Sequence, residues 1–253
     1  VHIPPIIGHR GAADTAPENT LASLRQAFAE GARMVEIDVR LSSDGIPILL
    51  HDDTLDRTTG AHGPADQWTA EALGALDAGF WKADRFFGEP IPALSEVILL
   101  CTDLGLMLNI EIKPNPGQDE QTAWAIADLL TAQWPDSLPW PLVSSFSVAS
   151  LVALRRVAPH LPRGLLFGHR PAHWREIVEQ TGARTLHLWD RAESPESVAI
   201  LAHTGLPILI YTVNDVVAAR RWLDSGARAV ITDCPGQLLR DLETDRPMHQ
   251  TAR

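Results

Sequence analysis

Polar side chains recur at alternate positions in two short apolar runs, Val35-Glu36-Ile37-Asp38-Val39 and Asn109-Ile110-Glu111-Ile112-Lys113. Successive side chains of a strand point to opposite faces, so Glu36 and Asp38 share one face, as do Asn109, Glu111 and Lys113. Neighbouring carboxylates do not all stay ionised without a counter-charge. Three of them on two strands, with no His/Cys cluster at zinc spacing, describe an oxygen site for one divalent cation, Mg2+ or Ca2+. His9 and His51 each follow a short apolar run, which places both at strand C-termini, and imidazole serves as acid or base near neutral pH. Three carboxylates and one divalent cation leave a net charge of about −1, so an anionic phosphate would also need Arg10, Lys113 and a protonated His. The set fits metal-assisted phosphoryl transfer, one His acting as base and the other as acid.

Such residues need a scaffold, and the rest of the chain predicts one. In five places an amphipathic stretch runs into a Gly, one or two further residues and a short apolar run: Gly31, Gly105, Gly182, Gly205 and Gly226. The pattern predicts a helix ended by a left-handed Gly, then a buried strand. Ile6-His9, Leu142-Phe146 and Gly164-Phe167 read as three further strands, making eight with helices between them. Eight such units in 253 residues fit a closed (β/α)8 TIM barrel. An open doubly wound sheet is the alternative, with less support because no GxGxxG follows the first strand.

Asn19 is the expected N-cap of the first helix, whose Leu21, Leu24 and Phe28 recur at helical spacing. Asp44-Gly45 predicts a hairpin between Val35-Leu41 and Ile46-His51. Residues 53–94 are too long for a plain loop and read as a small subdomain inserted in a single catalytic domain spanning 1–253, capping the barrel mouth. Trp68, Phe80, Trp81, Phe86 and Phe87 are its expected core. His187 is the one other histidine whose strand position allows it to face the barrel interior.

With 32 acidic against 21 basic residues the chain carries −11, which disfavours nucleic acid as a partner. No apolar run approaches a membrane span, no signal-peptide pattern opens the sequence, and two cysteines make no disulfide framework, so the expected location is the cytoplasm. Cys101 and Cys234 read as buried thiols.

Several motifs, taken together and in order, resemble the signature set of the glycerophosphodiester phosphodiesterases. They are His9-Arg10-Gly11, Ala16-Pro17-Glu18-Asn19-Thr20, Glu36-Ile37-Asp38-Val39, His51-Asp52-Asp53-Thr54-Leu55-Asp56-Arg57-Thr58-Thr59 and Asn109-Ile110-Glu111-Ile112-Lys113, followed by matches at Ile91-Pro92-Ala93-Leu94, Ser144-Ser145-Phe146, Tyr211-Thr212-Val213-Asn214 and Ile231-Thr232-Asp233. The resemblance implies a TIM barrel that hydrolyses small glycerophosphodiesters, such as glycerophosphocholine or glycerophosphoethanolamine, to glycerol 3-phosphate and an alcohol. It implies a divalent cation on Glu36, Asp38 and Glu111, His9 and His51 as the acid and base pair, and Arg10 and Lys113 as phosphate contacts. Phe146 and Tyr211 are implied as walls of the glycerol pocket, although Phe146 reads more readily as apolar core. Attack by the substrate's own 2-hydroxyl and direct attack by water both remain open.

Asp52 and Arg57 are expected to orient the His51 loop, and Glu18 to bond near Arg10 or the metal shell or, equally, to favour a helix N-terminus. The family usually has Trp at Tyr211, and Thr and Glu at Ala93 and Ser95. The short chain resembles the cytoplasmic bacterial members, as a monomer or homodimer. A lysophospholipase D-like or sphingomyelinase D-like activity is the nearest competitor, and a non-catalytic barrel binding a phosphorylated ligand is the reading outside the enzymes.

Overall fold

The computed structural model describes residues 2–244. The chain runs β1 (Ile6–His9), α1 (Leu21–Ala29), β2 (Met34–Leu41), β3 (Pro47–Leu49), α2 (Ala70–Gly74), α3 (Leu94–Leu104), β4 (Met107–Ile112), α4 (Asp119–Gln133), β5 (Leu142–Ser145) and α5 (Val148–Val157). It continues through β6 (Arg163–Phe167), α6 (Trp174–Thr181), β7 (Thr185–Trp189), α7 (Pro195–Ala202), β8 (Ile208–Tyr211), α8 (Val216–Asp224), β9 (Ala229–Thr232) and α9 (Pro235–Thr244). All strands but β3 are parallel and form a closed barrel, because β1 pairs with both β2 and β9. The fold is a (β/α)8 barrel with one extra strand: β3 lies antiparallel on the end of β2, pairing Val39 with Leu49 and Leu41 with Pro47.

Alternation on β2 divides the molecule. Val35, Ile37 and Val39 face outward into a core shared with Leu24 and Ala27 of α1 and Ile98 and Cys101 of α3. Each fully buried Val, Leu or Ile contributes about 1.5–3 kcal/mol, so the outer face holds the strand while the inner face carries the chemistry. Inside the barrel Met34 joins Ile7, Leu142, Leu209 and Ala229 in an apolar floor. Two residues later the interior turns polar, with Glu36 and Asn109 side by side in register and Ser144 and His187 also buried.

Several expectations are corrected at the level of elements. Thr20, not Asn19, caps α1: its hydroxyl accepts from Ser23 N, while Asn19 takes a left-handed φ of 55° and turns into the barrel. The hairpin forms, but β3 is shorter than Ile46-His51, and β5 stops before Phe146. Residues 53–94 hold a small cluster of Leu55, Ala65, Leu73, Ala78 and Ile91 with Ile48 and Leu50. Of the aromatic residues expected there only Trp68 packs against it, while Phe80 is 44% and Phe87 81% exposed. Short 3-10 and helical turns bring aliphatic side chains inward and leave the aromatic loop outside. Lys82 and Arg85 pin that loop to the carbonyls of Ala13 and Thr15 beside the barrel mouth.

Candidate active site

The inner face of β2 and β4 brings Glu36, Asp38 and Glu111 together, with one oxygen from each lying within 4.8 Å of the others. All three are buried, at 3%, 1% and 7% exposure. Two cations meet them. Lys113 Nζ lies 3.1 Å from Glu111 Oε1 and 3.5 Å from Asp38 Oδ1. Arg10 Nε lies 3.1 Å from Asp38 Oδ2, a charge contact outside hydrogen-bond geometry.

Arg10 reaches this position through an uncommon backbone. Its φ of 51° turns its N–H toward Glu36 Oε2 at 3.1 Å, and Gly11 follows at φ 91°. A Cβ on Gly11 would fall 2.3 Å from Ser23 Oγ, so no other residue fits there. Asn19 completes the cradle, donating to Asp38 Oδ2 at 2.8 Å and accepting from the Asp38 N–H at 3.1 Å.

Each expected histidine is held by a carboxylate through Nδ1. His9 Nδ1 donates to Asp233 Oδ1 at 2.6 Å, and His51 Nδ1 donates to Asp52 Oδ1 at 2.6 Å. An ionised carboxylate only accepts, so Nδ1 carries the proton and Nε2 is left for exchange. Asp52 is itself held by Arg57 at 2.6 Å, Arg57 by Glu18 at 2.7 Å, and Glu18 by Arg10 at 2.7 Å. This chain ties the His51 loop to the Arg10 turn, so Glu18 serves the Arg10 contact and not a helix terminus.

The electrostatics call for more positive charge. Burial pushes the Glu36 carboxyl well above the usual range, and Asp38 and Glu111 push it further. Glu111 rises to about 7 through burial and the field of Asp38, against the pull of Lys113. Burial also acts on Asp38, but Arg10 and Lys113 outweigh it and hold Asp38 at about 2. Glu36 Oε1 is buried without a hydrogen-bond partner. Three converging carboxylates, with an unpartnered buried oxygen on Glu36, fit a hard divalent cation.

Tyr211 and Phe146 adjoin this cluster. Tyr211 lines a cavity of about 20 Å³ with His9, Glu36, Asn109, Glu111 and His187, and its hydroxyl donates to Phe167 O at 3.0 Å. Phe146 stands edge-on to Tyr211 with ring centroids 6.1 Å apart. At 47% exposure Phe146 is a wall of the groove beside Lys113 and not apolar core.

A model of the "Glycerophosphoryl diester phosphodiesterase family" matches residues 9–237. The chain belongs to that family. It is an enzyme of the phosphodiesterase class. A glycerophosphodiester phosphodiesterase of Caldanaerobacter subterraneus subsp. tengcongensis is 34% identical over 238 residues, 92% of this chain and 96% of the relative. One from Bacillus altitudinis is 30% identical over 243 residues, 93% and 96% of the two chains. The solved phosphodiesterase of Oleispira antarctica, in complex with the product sn-glycerol-3-phosphate, is 37% identical. It superposes with a TM-score of 0.92 over 95% of this chain and 97% of its own.

Within this phosphodiesterase the sequence reading left some contributors without a role. Asp233 follows the end of β9 and reaches His9 because barrel closure sets Thr232 beside Gly8. Asn214 steadies Asp233, donating from Nδ2 at 2.6 Å. No local spacing announces a partnership across 224 residues. Asn19, expected as a cap, orients Asp38. Arg40 on β2 donates from Nε and Nη2 to the His51 carbonyl at 3.1 and 3.0 Å, and so fixes the loop that carries that histidine. Its place two residues beyond Asp38, on the face that Glu36 and Asp38 share, was the signal available for it.

Proposed function

We propose that the protein hydrolyses glycerophosphodiesters to glycerol 3-phosphate and an alcohol, with His9 and His51 as the acid and base pair. The observation that carries this is the pair of imidazoles, each held through Nδ1 by a carboxylate at 2.6 Å, beside three buried carboxylates and two cations. Glu36, Asp38 and Glu111 would hold one divalent cation, Mg2+ or Ca2+. When bound, that cation neutralises phosphate charge and acts as a Lewis acid.

The remaining work falls to side chains of this chain. Arg10 and Lys113 orient the phosphate and offset its charge, with Glu18 and Asn19 limiting the motion of that face. Nε2 of one imidazole takes the proton of the attacking oxygen, and Nε2 of the other, already protonated, delivers its proton to the departing alcohol oxygen; water supplies the attacking oxygen directly, or opens the cyclic phosphate that attack by the 2-hydroxyl forms. Asp233 and Asp52 favour each imidazolium as it forms. Tyr211 and the edge of Phe146 beside it offer apolar contact to the glycerol, and the rest of the Phe146 ring faces the open groove beside Lys113. On the same reading, residues 53–94 form a subdomain of a single catalytic domain, whose Arg57 braces Glu18 and Asp52 at the mouth.

The test is release of glycerol 3-phosphate from glycerophosphocholine or glycerophosphoethanolamine, followed with a coupled dehydrogenase in Mg2+, Ca2+ or EDTA. Release that EDTA abolishes and a metal restores is expected. Folded protein that releases none under any metal overturns the reading and directs attention to lysophospholipids or to a binding barrel.

A further inference from the structure

The phosphodiester substrates of the proposed reaction differ in the alcohol they release, so the groove beside the cluster bears on which alcohol is accepted. On the His9 side the cavity of about 20 Å³ is too small for a whole alcohol. On the other side an open groove of about 380 Å³ starts at Glu111 and Lys113 and runs along Arg40, Ser145, Phe146 and Ser147. It has the room, and it lies where Arg40 holds the carbonyl of His51.

We propose that this groove receives the departing alcohol and that Arg40 makes it select neutral or anionic alcohols over cationic ones such as choline. The inference rests on the phosphodiesterase reading and adds a specificity residue to it. Arg40 is half-buried, and all its hydrogen bonds go to neutral oxygens: the His51 carbonyl and, at 3.3 Å, Asn115 Oδ1. Asp53, Asp38, Asp52 and Glu111 act on it through space, yet no carboxylate among the described residues forms an ion pair with it. Of these four only Glu111 lines the groove, and Lys113 holds Glu111 at 3.1 Å.

Phe146 pulls the other way, because an aromatic face attracts a quaternary ammonium. One half-exposed ring with Tyr211 set edge-on is not an aromatic cage, and such a contact is worth less than repulsion from a full charge at short range. Salt weakens that repulsion, so the selectivity is greatest at low ionic strength.

The experiment compares two glycerol phosphodiesters of one shape, the choline ester and its uncharged isostere made from 3,3-dimethylbutan-1-ol, in wild type, Arg40→Gln and Arg40→Lys. Glycerol 3-phosphate is read from both at low salt, and the quantity reported is the ratio of kcat/KM values. The wild type is expected to favour the uncharged ester about tenfold. Arg40→Gln should reduce the ratio to about threefold or less, and Arg40→Lys should keep most of it. A ratio near one in wild type, or one that Arg40→Gln leaves unchanged, overturns the inference while the reaction itself stands. Loss of rate on both esters in Arg40→Gln with the ratio intact makes Arg40 only a brace for the His51 loop, and also overturns it. Glycerol 3-phosphate from neither ester overturns the phosphodiesterase reading and this inference together.

Discussion

His9 and His51 have matched partners on unequal supports. Asp233 is steadied by the neutral amide of Asn214, whereas Asp52 shares its charge with Arg57. Burial lowers the His51 imidazole despite the nearby Asp38 carboxylate. Replacing His51 by Ala should reduce turnover at saturating metal by about a hundredfold or more, measured as initial rate with the fold checked by circular dichroism. Replacing Asp233 by Asn keeps the shape and removes the charge that favours a protonated His9. A loss of about ten- to a hundredfold is expected, together with a displaced limb in the pH–rate profile. An unchanged profile would reduce Asp233 to packing.

At the scale of elements, the start of α3 lacks half of a cap. Ala93 occupies the N-cap with extended backbone but has no hydroxyl, so only the Glu96 carboxylate remains of a capping box, accepting from Ala93 N–H at 2.8 Å. Ala93→Thr supplies the missing acceptor on a backbone already suited to it. The gain should be about 1 kcal/mol in a denaturant titration, with activity unchanged. Strand β2 is the opposite case, because its alternation cannot shift: a slip of one residue would send Val35, Ile37 and Val39 inward and Glu36 and Asp38 against α1 and α3.

At the scale of the whole molecule, the proposed cation site and the buried titratable groups predict a response to cations and protons. A divalent cation that binds only the folded state raises the melting temperature, and the rise should be larger at pH 8 than at pH 6. The sign follows from Glu36, held well above the carboxylate range, and Glu111 at about 7, which must both lose protons to bind it. Glu111→Gln should remove most of this shift and most of the activity, and a full shift in that variant would take Glu111 out of the ligand set. Acid has a second target in His187. Burial holds its pKa at about 3, so it stays neutral in the fold while the unfolded chain takes up a proton below the ordinary value of 6.5. Between those values the unfolded state binds more protons, and stability falls with pH by up to about 1.4 kcal/mol per unit. His187→Gln should flatten the stability profile between pH 6.5 and pH 5, measured by urea unfolding.

What the sequence determined by itself is the local grammar: period-two strands carrying Glu36, Asp38 and Glu111 on inward faces, glycines that end helices, and the Asp44-Gly45 turn. These are legible because each depends on neighbours a few residues away. What the tertiary structure decided is every contact made by closing the barrel or folding the insertion back: Asp233 on His9, Arg57 between Glu18 and Asp52, Asn19 on Asp38, and Arg40 beneath the His51 loop. It also decided which side chains of residues 53–94 are buried, since a short irregular segment has no period from which burial can be read. Strand alternation fixes the face of a residue, but only the register of eight strands fixes which distant residue it meets there.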